Sequence, residues 1–100
     1  MKHSILLIDD DVAYRRSMAS FLEDEGFFVR AVETGDEGIA LIRQQLFPFA
    51  IALVDYHMPE MQGPETIQKL RSIDSNLTIL ALSGDDSVAA HNQSLESEAV

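Results

Sequence analysis

The side chains of this sequence that could do chemistry are mostly carboxylates, and they gather at the ends of apolar runs. Asp9, Asp10 and Asp11 follow Ser4 to Ile8, Asp55 follows Phe49 to Val54, and the Ser83 hydroxyl follows Leu77 to Leu82. Carboxylates brought together repel one another and bind protons more tightly unless a cation neutralises them. Hard oxygen donors without competing cysteine or histidine favour Mg²⁺ or Mn²⁺. Mg²⁺ commonly takes one or two carboxylates and keeps waters that a phosphate oxygen can displace. A carboxylate is also a nucleophile toward phosphorus. Asp55, alone at the end of its run, is the candidate nucleophile. Ser83 is the candidate sensor, since its bond to a phosphoryl oxygen would exist only after transfer.

These residues reach one place only if the elements that carry them lie side by side. Ser4 to Ile8 is apolar without alternation, as in a strand buried on both faces. From Val12 to Glu25, Tyr14, Met18, Phe21 and Leu22 recur at helical spacing, and Gly26 is the expected stop. Phe27 to Val32 is aromatic and β-branched, hence a strand, and Thr34 to Glu37 has the form of a capping box. Ile39, Ile42 and Leu46 form the next helical stripe, which Pro48 ends. Phe49 to Val54 is the third strand and delivers Asp55, and residues 56–63 form a loop. Pro64 suits the first turn of a helix carrying Ile67, Leu70 and Ile73. Leu77 to Leu82 is a fourth strand, and Ser87 to Val100 a weakly amphipathic helix.

Strands alternating with helical crossovers predict a parallel sheet with helices on both faces, the doubly wound α/β class. Ligands in such sheets bind beyond the carboxyl ends of the strands, where the winding reverses. The acidic triplet, Asp55 and Ser83 are expected to converge there.

Composition limits the alternatives. One hundred residues suit a single domain, and with 46% hydrophobic residues and no long apolar run the chain is expected to be soluble, non-membrane and cytoplasmic. A net charge of -10 opposes unaided binding to nucleic acid. The absence of cysteine removes disulfides, thiolate metal sites and thiol nucleophiles. Blander roles are available to single residues: an aspartate triplet can be a turn and helix cap, and Ser83 can cap a helix with Asp86. Phe27, Phe28, Phe47 and Phe49 are expected in core and sheet packing, and the His57 side chain faces solvent.

Taken together, Ile5 to Asp11, Leu53 to Gly63 and Leu80 to Gly84 resemble the receiver domain of two-component response regulators, in order and approximate spacing. The resemblance implies a flavodoxin-like (βα)5 fold and a phosphoacceptor module, not a turnover enzyme on an outside substrate. It implies Mg²⁺ held by Asp10, Asp55 and the backbone carbonyl of His57, with Asp9 acting through water. Asp55 would take the phosphoryl group from a phosphohistidine of a sensor histidine kinase or phosphotransfer protein, and Ser83 would be the switch hydroxyl. Receivers carry a fifth strand ending in Lys-Pro and then a fifth helix. Here the only lysines are Lys2 and Lys69. Residues 1–100 are therefore read as a receiver domain incomplete at its C-terminal end. Its phosphorylation is expected to be slow, and the exposed edge of Leu77 to Leu82 to favour self-association. Two other classes compete: a pseudo-receiver that works without phosphorylation, and a haloacid-dehalogenase-like phosphohydrolase with Asp9 as nucleophile.

Overall fold

Strands and helices alternate through the computed structural model, which describes residues 3–44, 48–55 and 63–82. The elements are β1 (Ser4–Ile8), α1 (Val12–Asp24), β2 (Phe28–Val32), α2 (Gly35–Gln44), β3 (Phe49–Asp55), α3 (Gly63–Ile73) and β4 (Thr78–Leu82). All strand pairs are parallel, in the order β2-β1-β3-β4. The chain is thus a doubly wound α/β sheet of the flavodoxin-like kind, and its winding reverses between β1 and β3. The helix expected from Ser87 to Val100, and Leu46 and Phe47, lie outside the described residues.

Register divides the side chains between two faces. Leu6 and Ile8 of β1 align with Ala52 and Val54 of β3, which align with Ile79 and Ala81 of β4. These pack in one cluster with Ile39 and Ile42 of α2 and Ile67 and Leu70 of α3. Ile5 and Leu7 point the other way and are just as buried, so β1 is covered on both faces as its unbroken apolar run requires. α1 packs on β1 and β2 and adds nothing to the cluster, so it covers this second face.

That cover is partial. The sequence places Tyr14, Met18, Phe21 and Leu22 on one apolar side of α1, yet no α1 residue is buried and Phe21 is 59% exposed. The helix lies over the β1–β2 end of the sheet. Half of its apolar side therefore overhangs, and Ile51, Leu53, Leu80 and Leu82 on the same sheet face are only half-buried. Phe28 also departs from expectation at 58% exposed, because it opens the edge strand β2 opposite Ser4 at the amino end of the sheet. Phe49 is buried as expected.

Local chemistry sets the element ends. Gly26 takes φ 99° after α1, its N–H donates to the Glu23 carbonyl at 3.0 Å and that of Phe27 to Leu22 at 3.1 Å, the left-handed closure that favours glycine. At the start of α2 the Glu37 N–H donates to Thr34 Oγ1 and the Thr34 hydroxyl donates to Glu37 Oε1, both at 3.2 Å. This keeps the Thr–Glu pairing of a capping box, with the glutamate bonded to the hydroxyl.

Two buried positions test this packing. A Cβ on Gly38 would collide with Ile8 Cδ1 and lie 2.9 Å from Ile8 Cγ1, so α2 approaches β1 as closely as it does only through glycine. Overpacking costs ~1–3 kcal/mol against a helix-propensity gain of ~1 kcal/mol. Gly38→Ala should therefore lose roughly 1 kcal/mol in urea unfolding, and a gain would refute the close approach. Thr66 is fully buried in α3 and its hydroxyl has no hydrogen-bond partner among the described residues. Thr66→Val should accordingly stabilise the domain by about 1 kcal/mol, and a loss would show that the hydroxyl is satisfied.

Candidate functional site

The aspartate triplet is split between two tasks by the turn that joins β1 to α1. Asp9 extends the β1–β2 ladder, its N–H donating to the Val32 carbonyl at 3.1 Å, and the residue is 5% exposed. Asp9 Oδ1 accepts the Asp11 N–H at 2.9 Å, and its carbonyl accepts from the Arg15 guanidinium at 2.8 Å. The turn is thereby fastened from both sides. Asp11 caps α1: its Oδ1 accepts the N–H groups of Ala13 at 3.0 Å and Tyr14 at 3.1 Å. The helix-cap reading therefore holds for Asp11, while Asp9 and the exposed Asp10 remain for the site.

Asp55 reaches them through the sheet. Ile8 is aligned with Val54, so the residues that follow, Asp9 and Asp55, come level at the carboxyl ends of adjacent strands. One carboxylate oxygen from each of Asp9, Asp10 and Asp55 lies within 4.8 Å of the others. Asp55 is half-buried and is aligned with Leu82 on its other side. The cluster opens into a pocket of about 590 Å³ lined by Asp9, Asp10, Asp11, Tyr14, Asp55, Ala81 and Leu82. It lies where the winding reverses, as the sequence requires.

Electrostatics favour a cation at this cluster. Burial pushes the Asp9 carboxyl above its ordinary value of 3.8, and the charges of Asp10 and Asp11 push it further; the Asp11 N–H bond and Arg15 act the opposite way. A desolvated carboxylate among like charges is stabilised by any cation that enters. The donors are all carboxylate oxygens, which suit a hard divalent ion such as Mg²⁺. The residues present therefore fit such a metal.

Ser83 and His57, also expected at this rim, lie outside the described residues. Tyr14 belongs to the site and was expected in an apolar stripe. Side chains in a helix lean back toward its N-terminus, so a residue in the first turn after an acidic strand end is carried over that end. That rule could have found it.

Comparison with known proteins agrees with this geometry. Residues 5–100 match the family described as "Response regulator receiver domain". The cell cycle response regulator CtrA of Brucella abortus is 39% identical over 80 residues, which are 80% of this chain and 34% of that protein. The chain thus spans about a third of the length of that curated relative. The crystal structure of adenylate cyclase from Rhodopirellula baltica superposes with a TM-score of 0.83 at 33% identity, covering 100% of this chain and 73% of that one. A chain of the complex between histidine kinase ThkA and response regulator protein TrrA superposes with a TM-score of 0.72 at 26% identity, covering 84% of this chain and 70% of that one. With the profile running from β1 onward and the paired and single aspartates at adjoining strand ends, this chain belongs to the response regulator receiver domain family of two-component signalling.

Proposed function

We propose that this domain is a phosphoacceptor switch, with Asp55 accepting a phosphoryl group from a phosphohistidine of a histidine kinase or phosphotransfer protein in the cytoplasm. The convergence of the Asp9, Asp10 and Asp55 carboxylates carries the reading. An Asp55 oxygen attacks phosphorus and an O–P bond forms as the P–N bond to the imidazole breaks. The imidazole leaves with the electron pair and takes up a proton from solvent. Asp9 is held by the turn and Asp10 stands exposed beside it, so together with Asp55 they are the residues that would hold Mg²⁺. When bound, Mg²⁺ supplies positive charge that offsets both the carboxylates and the phosphoryl oxygens.

The role is that of a self-modifying switch, not of an enzyme turning over an outside substrate. With a net charge of -10, the domain itself is suited to protein contacts and not to direct binding of nucleic acid. The intact carboxylate cluster favours this over a module that works without phosphorylation. The partner class is suggested by the ThkA–TrrA complex, in which a kinase meets a chain of this fold.

Incubation with phosphorylated histidine kinase and Mg²⁺ should give an acyl phosphate sensitive to hydroxylamine, and Asp55→Asn should abolish it. Label that persists in Asp55→Asn, or that maps to Asp9, would sink the reading.

Asp9 supplies a second test. Its carboxyl pKa is raised above 3.8, so the folded chain binds that proton more tightly than the unfolded chain. Stability from this group is greatest at low pH and falls as pH rises from 3.8 through the folded value. Asp9→Asn keeps an oxygen for the Asp11 N–H and removes the charge. In EDTA at pH 7 it should melt above the wild-type domain, an advantage that fades as pH is lowered toward 3.8. Saturating Mg²⁺ should raise the wild-type melting temperature more than that of the variant. Equal melting in EDTA at pH 7, or an equal gain from Mg²⁺, would contradict a cation site at Asp9.

A further inference from the structure

The described lining of the pocket is short of hydrogen-bond donors. Asp9, Asp10, Asp11 and Asp55 offer ionised acceptors, Ala81 and Leu82 offer no polar side-chain atom, and Tyr14 alone among these side chains carries an O–H. A phosphoryl group on Asp55 presents three acceptor oxygens to these surroundings. Carboxylates repel them, so a neutral donor at the rim meets a need that the acids cannot.

Tyr14 is placed to meet it. Its N–H is fixed to Asp11 Oδ1 at 3.1 Å in the first turn of α1, directly after the strand end that carries Asp9 and Asp10. From there the side chain leans back over the carboxyl end of β1 and reaches the pocket. Burial holds its phenol above the ordinary value of 10.0, and the charges of Asp9 and Asp55 add to this. The hydroxyl therefore lies within electrostatic reach of both carboxylates.

We infer that the Tyr14 hydroxyl donates a hydrogen bond to the phosphoryl group at Asp55, making Tyr14 a phosphoryl-contacting residue that governs how readily the group is accepted and how tightly it is held. This rests on Asp55 being the phosphoacceptor. During transfer from acetyl phosphate, the Asp55 O–P bond forms, the P–O bond to acetate breaks and acetate leaves with the electron pair. Tyr14 keeps its proton throughout. The contact adds to whatever the loops after β3 and β4 supply, and it comes from α1.

Tyr14→Phe tests the inference, because it removes only the oxygen from a residue that is 40% exposed. With acetyl phosphate and saturating Mg²⁺, Tyr14→Phe should be labelled about tenfold more slowly than wild type, the effect of losing one bond to a charged group. Beryllofluoride, a phosphoryl mimic titrated by NMR in the presence of Mg²⁺, should bind it more weakly by a similar factor. Mg²⁺ affinity without the mimic, measured by calorimetry, should not change. Wild-type labelling and beryllofluoride binding in Tyr14→Phe would overturn the inference and leave the Asp55 reading standing. A parallel fall in Mg²⁺ affinity would overturn it by assigning Tyr14 to the metal site. Failure of the wild-type domain to be labelled, or label that survives Asp55→Asn, would overturn the Asp55 reading and Tyr14's role with it.

Discussion

Three carboxylates held within 4.8 Å at their nearest oxygens repel one another, and the rest of the domain has to overcome that repulsion. The opposing force lies directly beneath. Ile5, Leu6, Leu7 and Ile8 are all 2% exposed or less, and burying each contributes roughly 1.5–3 kcal/mol. The hydrophobic run of β1 thus holds the acids together. A cation entering between the carboxylates would offset that repulsion.

Register turns this support into a site. Side chains alternate along a strand, so a slip of one residue between β1 and β3 would carry Asp55 to the opposite face. The clustering of Ala52 and Val54 with Leu6 and Ile8 prevents that slip, since a one-residue shift puts Leu53 where alanine or valine fits. Gly38 contributes to the same alignment by letting α2 close over Leu6 and Ile8. The positions that fix Asp55 are therefore apolar, buried and remote from the chemistry.

How far the sequence spoke for the structure depended on whether a signal was local. The unbroken run from Ser4 to Ile8 announced a strand covered on both faces, and the residues ending it and Phe49 to Val54 announced the site, because parallel strands bring their carboxyl ends together. Gly26 and the Thr34–Glu37 pair marked helix ends through bonds that span a few residues. The amphipathic spacing of α1 was also legible, but periodicity says which residues share a side and nothing about how much of it is covered. The exposure of Phe21 follows from where α1 crosses the sheet, a tertiary fact. The division of labour within the aspartate triplet was equally hidden. Three identical residues in a row differ only in the turn geometry that makes Asp11 a cap and leaves Asp9 and Asp10 free to face Asp55.

Among the described residues the two faces of the sheet are covered to different degrees. The face beneath α2 and α3 is tightly buried, with Ala52 and Val54 wholly excluded from solvent, and it carries the stability of β3. The face beneath α1 is half-covered along Ile51 and Leu53, and the same alternation that places those residues there places Asp55 with them. The Asp55 carboxylate must reach the rim and must also be held in place, and the tightly packed face supplies the hold. Successive residues of one strand meet both demands, since Val54 is locked into the core and Asp55, one peptide further, reaches the rim.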